Sequence, residues 1–182
     1  MPRLQALLGA KRTSSLNVLE LGAGCGIAGI ALAQMVPNCS VYLTDLPEAQ
    51  DMLQKNIEIA KPAHGSSLRL GLLEWGSETT ADLLGSKTDL VLVSDCTYNV
   101  DSCSALVQTL VNLAQYSNGL KILLAMKRRH DAEAAFEHML DRNGFRALES
   151  TKLAVPHRDS ETDISRPVVE IYLYERIEKA ET

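Results

Sequence analysis

Short β-branched and leucine-rich runs alternate along this chain with longer stretches whose apolar positions recur at helical spacing. Asn17–Leu21 (NVLEL) reads as a strand, followed by a helix over Gly26–Met35 that begins inside a glycine-rich loop. Ser40–Thr44 is a second strand. It leads into a helix from Leu46 to about Ala60, with Pro47 suited to the first turn and Met52, Leu53 and Ile57 at helical spacing. Ser67–Leu72 and the almost wholly apolar Asp89–Ser94 supply the third and fourth strands. Val100–Tyr116 shows helical periodicity through Leu106, Leu110 and Leu113 and stops at Asn118–Gly119. Leu120–Met126 is a fifth strand, and Asp131–Arg142 a helix with an Asp at its start and Asn143–Gly144 at its end. Phe145–Val155 and Val168–Tyr174 then follow one another with only the polar loop Pro156–Pro167 between them.

Strand–helix alternation followed by two strands with no helix between them predicts an α/β protein: a parallel sheet with an antiparallel addition. The near-continuous apolar strands fit a sheet covered by helices on both faces. Ligands of such sheets bind beyond the carboxyl ends of the strands, at the point where strand order reverses. Functional residues are therefore expected just after Leu21, Thr44, Leu72 and Ser94.

Composition narrows the picture modestly. The 182 residues fit one domain, and 46% hydrophobic with 23% charged residues is an ordinary globular balance. A net charge of −5 supplies no basic excess for a broad grip on nucleic acid, and would more naturally attract a basic protein or peptide. Cys25, Cys39, Cys96 and Cys103 form no CxxC pair and have no histidine at zinc-ligand spacing, so reduced, mostly buried thiols are expected and no metal site. His64, His138 and His157 form no defensible site either. The longest apolar stretches are strand-sized, too short to span a bilayer, and the first twelve residues lack a signal-peptide cleavage pattern. These features read as a cytosolic or nuclear protein.

Every expected position carries chemistry. After the first strand stands Glu20-Leu21-Gly22-Ala23-Gly24-Cys25-Gly26. Alternating glycines let the backbone turn sharply and approach a ligand, with a helix N-terminus behind them. A dinucleotide fingerprint would place its third glycine at position 27, where this chain has Ile27. Glu20 would repel a pyrophosphate but suits a ligand bearing a sulfonium and an ammonium. Asp45 ends the second strand, where an acid accepts hydrogen bonds from ribose hydroxyls; capping the next helix is the plainer role. Trp75 in Leu73-Glu74-Trp75-Gly76 either walls an adenine ring or fills the core. The fourth strand ends Ser94-Asp95-Cys96-Thr97-Tyr98-Asn99. There an acid and an aromatic three residues on can hold an attacking amine, the alternative being Asp95 as a helix cap. Lys127-Arg128-Arg129-His130 after the fifth strand reads as a solvated loop, or as a contact for an acidic substrate patch or a ligand carboxylate.

Taken together, VLELGAGCGIAGI, Thr44–Asp45, LEWG and SDCTY, in this order and spacing, resemble methyltransferase family 16. This is a seven-β-strand group rich in protein-lysine methyltransferases and marked by D-x-x-Y after the fourth strand. The resemblance runs from about Asn17 to Tyr174. It implies a Rossmann-like sheet of order 3-2-1-4-5-7-6 with strand 7 antiparallel, and S-adenosylmethionine as methyl donor. It also implies cofactor contacts from Glu20, Gly22, Gly24 and Asp45, with Trp75 near the adenine. Ala23, Gly26, Leu46, Ser94 and Asp95 complete the candidate cofactor set. Asp95 and Tyr98 border the methyl-transfer site, and the loop from His157 to Asp163 lies near the substrate face. The implied partner is a protein with a target lysine. The alternatives are a methyltransferase for a small molecule or a nucleic acid, a base being disfavoured by the absence of an N/D-P-P-Y motif after strand four, and a catalytically silent binding module of the same fold. Relatives of this type usually carry several dozen residues before the glycine loop. Sixteen residues precede Asn17 here, so the expectation is one domain over residues 1–182 with that lid-forming extension curtailed.

Overall fold

The computed structural model describes residues 15–77, 87–97, 99–128, 131–154 and 168–177. Its centre is a seven-stranded sheet of order β3-β2-β1-β4-β5-β7-β6. The strands are β1 (Leu16–Leu21), β2 (Cys39–Asp45), β3 (Ser67–Leu72), β4 (Leu90–Ser94), β5 (Lys121–Lys127), β6 (Phe145–Ala154) and β7 (Val168–Arg176). The first five are mutually parallel, and β7 runs antiparallel between β5 and β6. This is the predicted order. The β6–β7 pair could be recognised from sequence because the segment between the two strands is polar and shows no helical pattern, which argues against the helical crossover a parallel pair uses.

Helices α1 (Ile27–Met35) and α2 (Gln50–Ile59) cover one face, and α3 (Val100–Tyr116) and α4 (Asp131–Arg142) the other. Alternation along each strand divides the core accordingly. Leu16 and Val18 of β1 join Val41 and Leu43 of β2 beneath Leu32, Ala33 and Leu53 of α1 and α2. Leu19 and Leu21 of the same β1 point the other way, into Leu106, Leu110 and Leu113 of α3 and Phe136 and Leu140 of α4. A fully buried leucine of this kind contributes roughly 1.5–3 kcal/mol, so β1, clad on both faces, anchors the fold.

One element differs from expectation. The predicted single helix from Leu46 to Ala60 is a one-turn 3-10 helix, Pro47–Ala49, leading into α2, with Leu46 extended at φ −70° and ψ 164°. Pro47 dictates this, because a residue before proline is driven out of the helical region. Strand order reverses between β2 and β4 on either side of β1, so the carboxyl ends of β1, β2 and β4 open a crevice at that point.

Candidate active site

The crevice is a cavity of about 650 Å³ lined by the glycine loop, the ends of β2 and β4, Leu73-Glu74-Trp75 and the first turns of α3. Glu20, Gly22, Ala23, Gly24, Asp45, Leu46, Trp75, Ser94 and Asp95 all border it. Gly26 does not. It lies behind the loop at φ +79°, as the residue capping the start of α1. Tyr98, Arg129, His130 and the loop from His157 to Asp163 lie outside the described residues.

The loop is built against its neighbours on both sides. Gly22 sits at φ +62°, and a Cβ there would fall 2.8 Å from Trp75 Cζ2 and 2.9 Å from Cys96 Sγ. No side chain fits between the loop and these two groups, so the indole packs directly on the backbone. Trp75 thus packs on the α3 and α4 core while also lining the cavity. Asp45 reaches back from β2. Its Oδ2 accepts the Gly24 N–H at 2.6 Å and its Oδ1 accepts the Leu46 N–H at 2.7 Å. The helical turn after it has no side-chain cap, so Asp45 holds the loop rather than the helix.

Glu20 is 2% exposed beneath the start of α1, where its Oε2 accepts the Gly29 N–H at 2.9 Å. Burial pushes its carboxyl up to about 7; the Gly29 N–H opposes the shift and the nearby Asp45 carboxylate adds to it. A carboxyl held in this balance near neutral pH would be stabilised as an anion by a cation entering the cavity. Glu20, Asp45, Glu74 and Asp95 give the lining four carboxylates, and no described lining residue is basic.

Asp95 stands exposed at the end of β4 with φ +56°, in the left-handed region that non-glycine residues rarely occupy. Its N–H donates to the Ala125 carbonyl at 2.9 Å, continuing the β4–β5 ladder by one bond. Helix α3 is capped by Asn99, whose side chain accepts the Asp101 N–H at 2.9 Å. Asp95 is therefore not the helix cap, and its carboxylate borders the cavity at the strand's carboxyl edge.

Several lining residues escaped the sequence reading. Ile27 is 74% exposed at the cavity mouth, and Cys96 lies beneath the loop with its thiol donating to Leu21 O at 3.4 Å. Burial pushes the Cys96 thiol up to about 12, which makes it packing and not a nucleophile. Asn99, Ser102 and Ala105 line the cavity from α3; their three-residue spacing of small side chains was the available signal. Cys39, Cys96 and Cys103 are buried free thiols as expected, whereas Cys25 is exposed on the loop. Arg128 is exposed just past β5, as a solvated loop predicts, but it is also bound to Glu137, Glu170 and Tyr172. Among the described residues, no group of three or more His, Cys, Asp or Glu side chains could hold a metal ion, and no helix is long and apolar enough to cross a membrane.

Sheet order, glycine loop and crevice define the fold of S-adenosylmethionine-dependent methyltransferases of the Rossmann-like type. Solved structures agree. A methyltransferase from Methanosarcina mazei superposes with a TM-score of 0.68 at 11% identity, covering 97% of this chain and 98% of that one. A magnesium protoporphyrin IX methyltransferase from Synechocystis, solved with bound S-adenosylmethionine, gives 0.58 at 21% identity over 94% and 76%. Residues 3–143 match the family described as lysine methyltransferase, and the chain belongs to that family. Its relatives include the protein-lysine N-methyltransferase EFM6 of Saccharomyces cerevisiae, 33% identical over 74% of this chain and 58% of that protein. The mouse protein N-lysine methyltransferase METTL21A is 34% identical over 74% of this chain and 60% of its own length. A fission-yeast UPF0665 family protein is 36% identical over 66% of this chain and 36% of its own length. The chain thus spans less than two thirds of each of these relatives.

Proposed function

We propose that this protein transfers a methyl group from S-adenosylmethionine to a lysine side chain of a protein substrate. The observation that carries the reading is the Asp95 carboxylate, set at the rim of the glycine-loop cavity by an unusual backbone conformation. Family membership, with relatives named as protein-lysine methyltransferases, supports the choice of a lysine amine.

The residues present fit the cofactor. Asp45 keeps lone pairs for ribose hydroxyls while holding Gly24, and Trp75, Leu46 and Leu73 offer an apolar wall for an adenine. The surrounding carboxylates suit a ligand with a sulfonium and an ammonium. When bound, S-adenosylmethionine supplies an electrophilic methyl on sulfur. The chain's own residues do the rest by alignment and electrostatics. Asp95 attracts the lysine ammonium and orients the nitrogen lone pair once its proton has passed to water or to Asp95 itself. The family's D-x-x-Y motif assigns Tyr98 the second role in receiving that amine.

Radiolabelled methyl transfer to a fractionated proteome, with lysine as the labelled residue after hydrolysis, tests the reading. Asp95→Ala should lower transfer by about a hundredfold or more while cofactor affinity stays within about twofold. Label on a nucleic acid or small molecule, or equal loss of binding and transfer, would contradict it.

A further inference from the structure

Arg128 lies one residue past β5, on the same edge of the sheet as Asp95, and joins three elements. Its Nε donates to Glu170 Oε2 of β7 at 2.7 Å, and its Nη2 donates to Glu137 Oε1 of α4 at 2.7 Å and to Tyr172 Oη of β7 at 3.2 Å. Glu170 is the centre of this group. It is 5% exposed, and also accepts the Tyr172 hydroxyl at 2.7 Å and the Lys152 ammonium of β6 at 2.6 Å. A buried carboxylate with donors from three positions fixes the geometry of whatever carries those donors.

What Arg128 carries is the end of β5, and β5 holds the segment containing Asp95. Three residues before Arg128, the Ala125 carbonyl accepts the Asp95 N–H at 2.9 Å. Two residues before it, Met126 Sδ accepts the buried Thr97 hydroxyl at 3.9 Å. Asp95 keeps φ +56° only where its surroundings over-determine it, since a residue held there costs of order 1–3 kcal/mol. These contacts tie the Asp95 segment to β5, and the Arg128–Glu170–Glu137 group joins β5 to β7 and α4.

We infer that Arg128, locked by Glu170 and Glu137, is a positioning residue for Asp95 and so for the methyl acceptor, and is not a contact for an acidic patch on the substrate. The role in transfer rests on the lysine-methylation reading above; the effect on Asp95 does not. Amide hydrogen exchange by NMR on the whole chain separates the two, using wild type, Arg128→Met, Arg128→Lys and the shape-preserving Glu170→Gln. Exchange at the Asp95 amide should accelerate by about tenfold or more in Arg128→Met and Glu170→Gln, less in Arg128→Lys, with Gly24 and Gly29 amides unchanged. An unchanged Asp95 amide, or uniform acceleration across the chain, would overturn the inference. With a methyl acceptor in hand, the same variants should lose kcat while acceptor KM and cofactor affinity hold. A raised, salt-dependent KM at constant kcat would instead make Arg128 a substrate contact. Failure of the wild type to methylate any protein would sink the lysine reading and leave the exchange result to decide the positioning role.

Discussion

The two halves of the cavity are built in different ways. On the β1–β3 side, the groups lie close in sequence or are joined by single backbone bonds: Asp45 to Gly24, Glu20 to Gly29, the Ala23 N–H to the Thr44 carbonyl. On the β4–β7 side, Asp95 depends on Ala125, and β5 is in turn tied through Arg128 to Glu137, Glu170 and Lys152. The first half is a local motif, built from the glycine loop and the end of the neighbouring strand. The second is a long-range assembly whose parts mean little alone. The division suits the proposed function, with a constant cofactor and a variable acceptor, and it predicts that substitutions in the two halves separate binding from transfer.

The widest separation should come from Asp95→Ala, which is expected to remove transfer and spare cofactor affinity. Next is Gly22→Ala on the other side. The added Cβ meets Trp75 and Cys96 within 2.9 Å at φ +62°, combining overpacking with left-handed strain at a cost of about 2–4 kcal/mol. Calorimetric titration should find cofactor binding lost and thermal unfolding several degrees lower. Near-normal affinity would mean that the indole can retreat from the loop, and the local-motif account would fail. Asp45→Ala follows. Removing an acceptor from the Gly24 N–H and from the cofactor's ribose should weaken affinity about tenfold to a hundredfold. Unchanged affinity would reduce Asp45 to a brace for the loop.

Legibility from sequence follows the same division. Glu20, Asp45 and the glycines could be named from spacing because each lies at or just past the end of a strand that declares itself by apolar pattern. The sheet order required the family resemblance, since periodicity does not say which strands are neighbours. The pairing of Arg128 was not visible in the sequence because its partners stand 9 and 42 residues away, at Glu137 and Glu170. A charge run gives no local sign of distant acceptors. Leu46 was misassigned to a helix although Pro47 directly after it carried the contrary signal.

Glu20 supplies a smaller effect with a definite sign. Its carboxyl is raised from an ordinary 4.5 to about 7, so ionising it in the free protein costs roughly 3 kcal/mol more than ionising a glutamate in water. The stability this group contributes is fully present below about pH 4.5 and is lost as pH rises through about 7. A cationic ligand favours the carboxylate, so cofactor affinity should rise about tenfold from pH 6 to pH 8, with release of a proton near neutrality. Titration in buffers of different ionisation enthalpy counts that proton, and Glu20→Gln should abolish it. A flat profile in the wild type would show that the cofactor's positive groups lie away from Glu20.

The smallest expected effect tests whether the cofactor half is as self-contained as its motifs suggest. Thr109 of α3 is fully buried; its hydroxyl accepts the Gly76 N–H at 2.8 Å and donates to the Ala105 carbonyl at 3.0 Å. This bond ties the Trp75 loop to a helix of the acceptor half. Thr109→Val keeps the volume and leaves the Gly76 N–H without its acceptor, at a cost of about 1–2 kcal/mol. Because Trp75 is the chain's one tryptophan, its fluorescence reports the loop directly. The variant should show a shifted emission in the free state and cofactor affinity weaker by about threefold to tenfold, with Asp45 and Glu20 still in place. Unchanged emission and affinity would show that packing on Gly22 alone fixes the indole, so that the adenine wall belongs wholly to the glycine loop. The expected result makes α3 a shared element: its first turns line the cavity together with Asp95 and, two turns along, Thr109 holds the loop that carries Trp75.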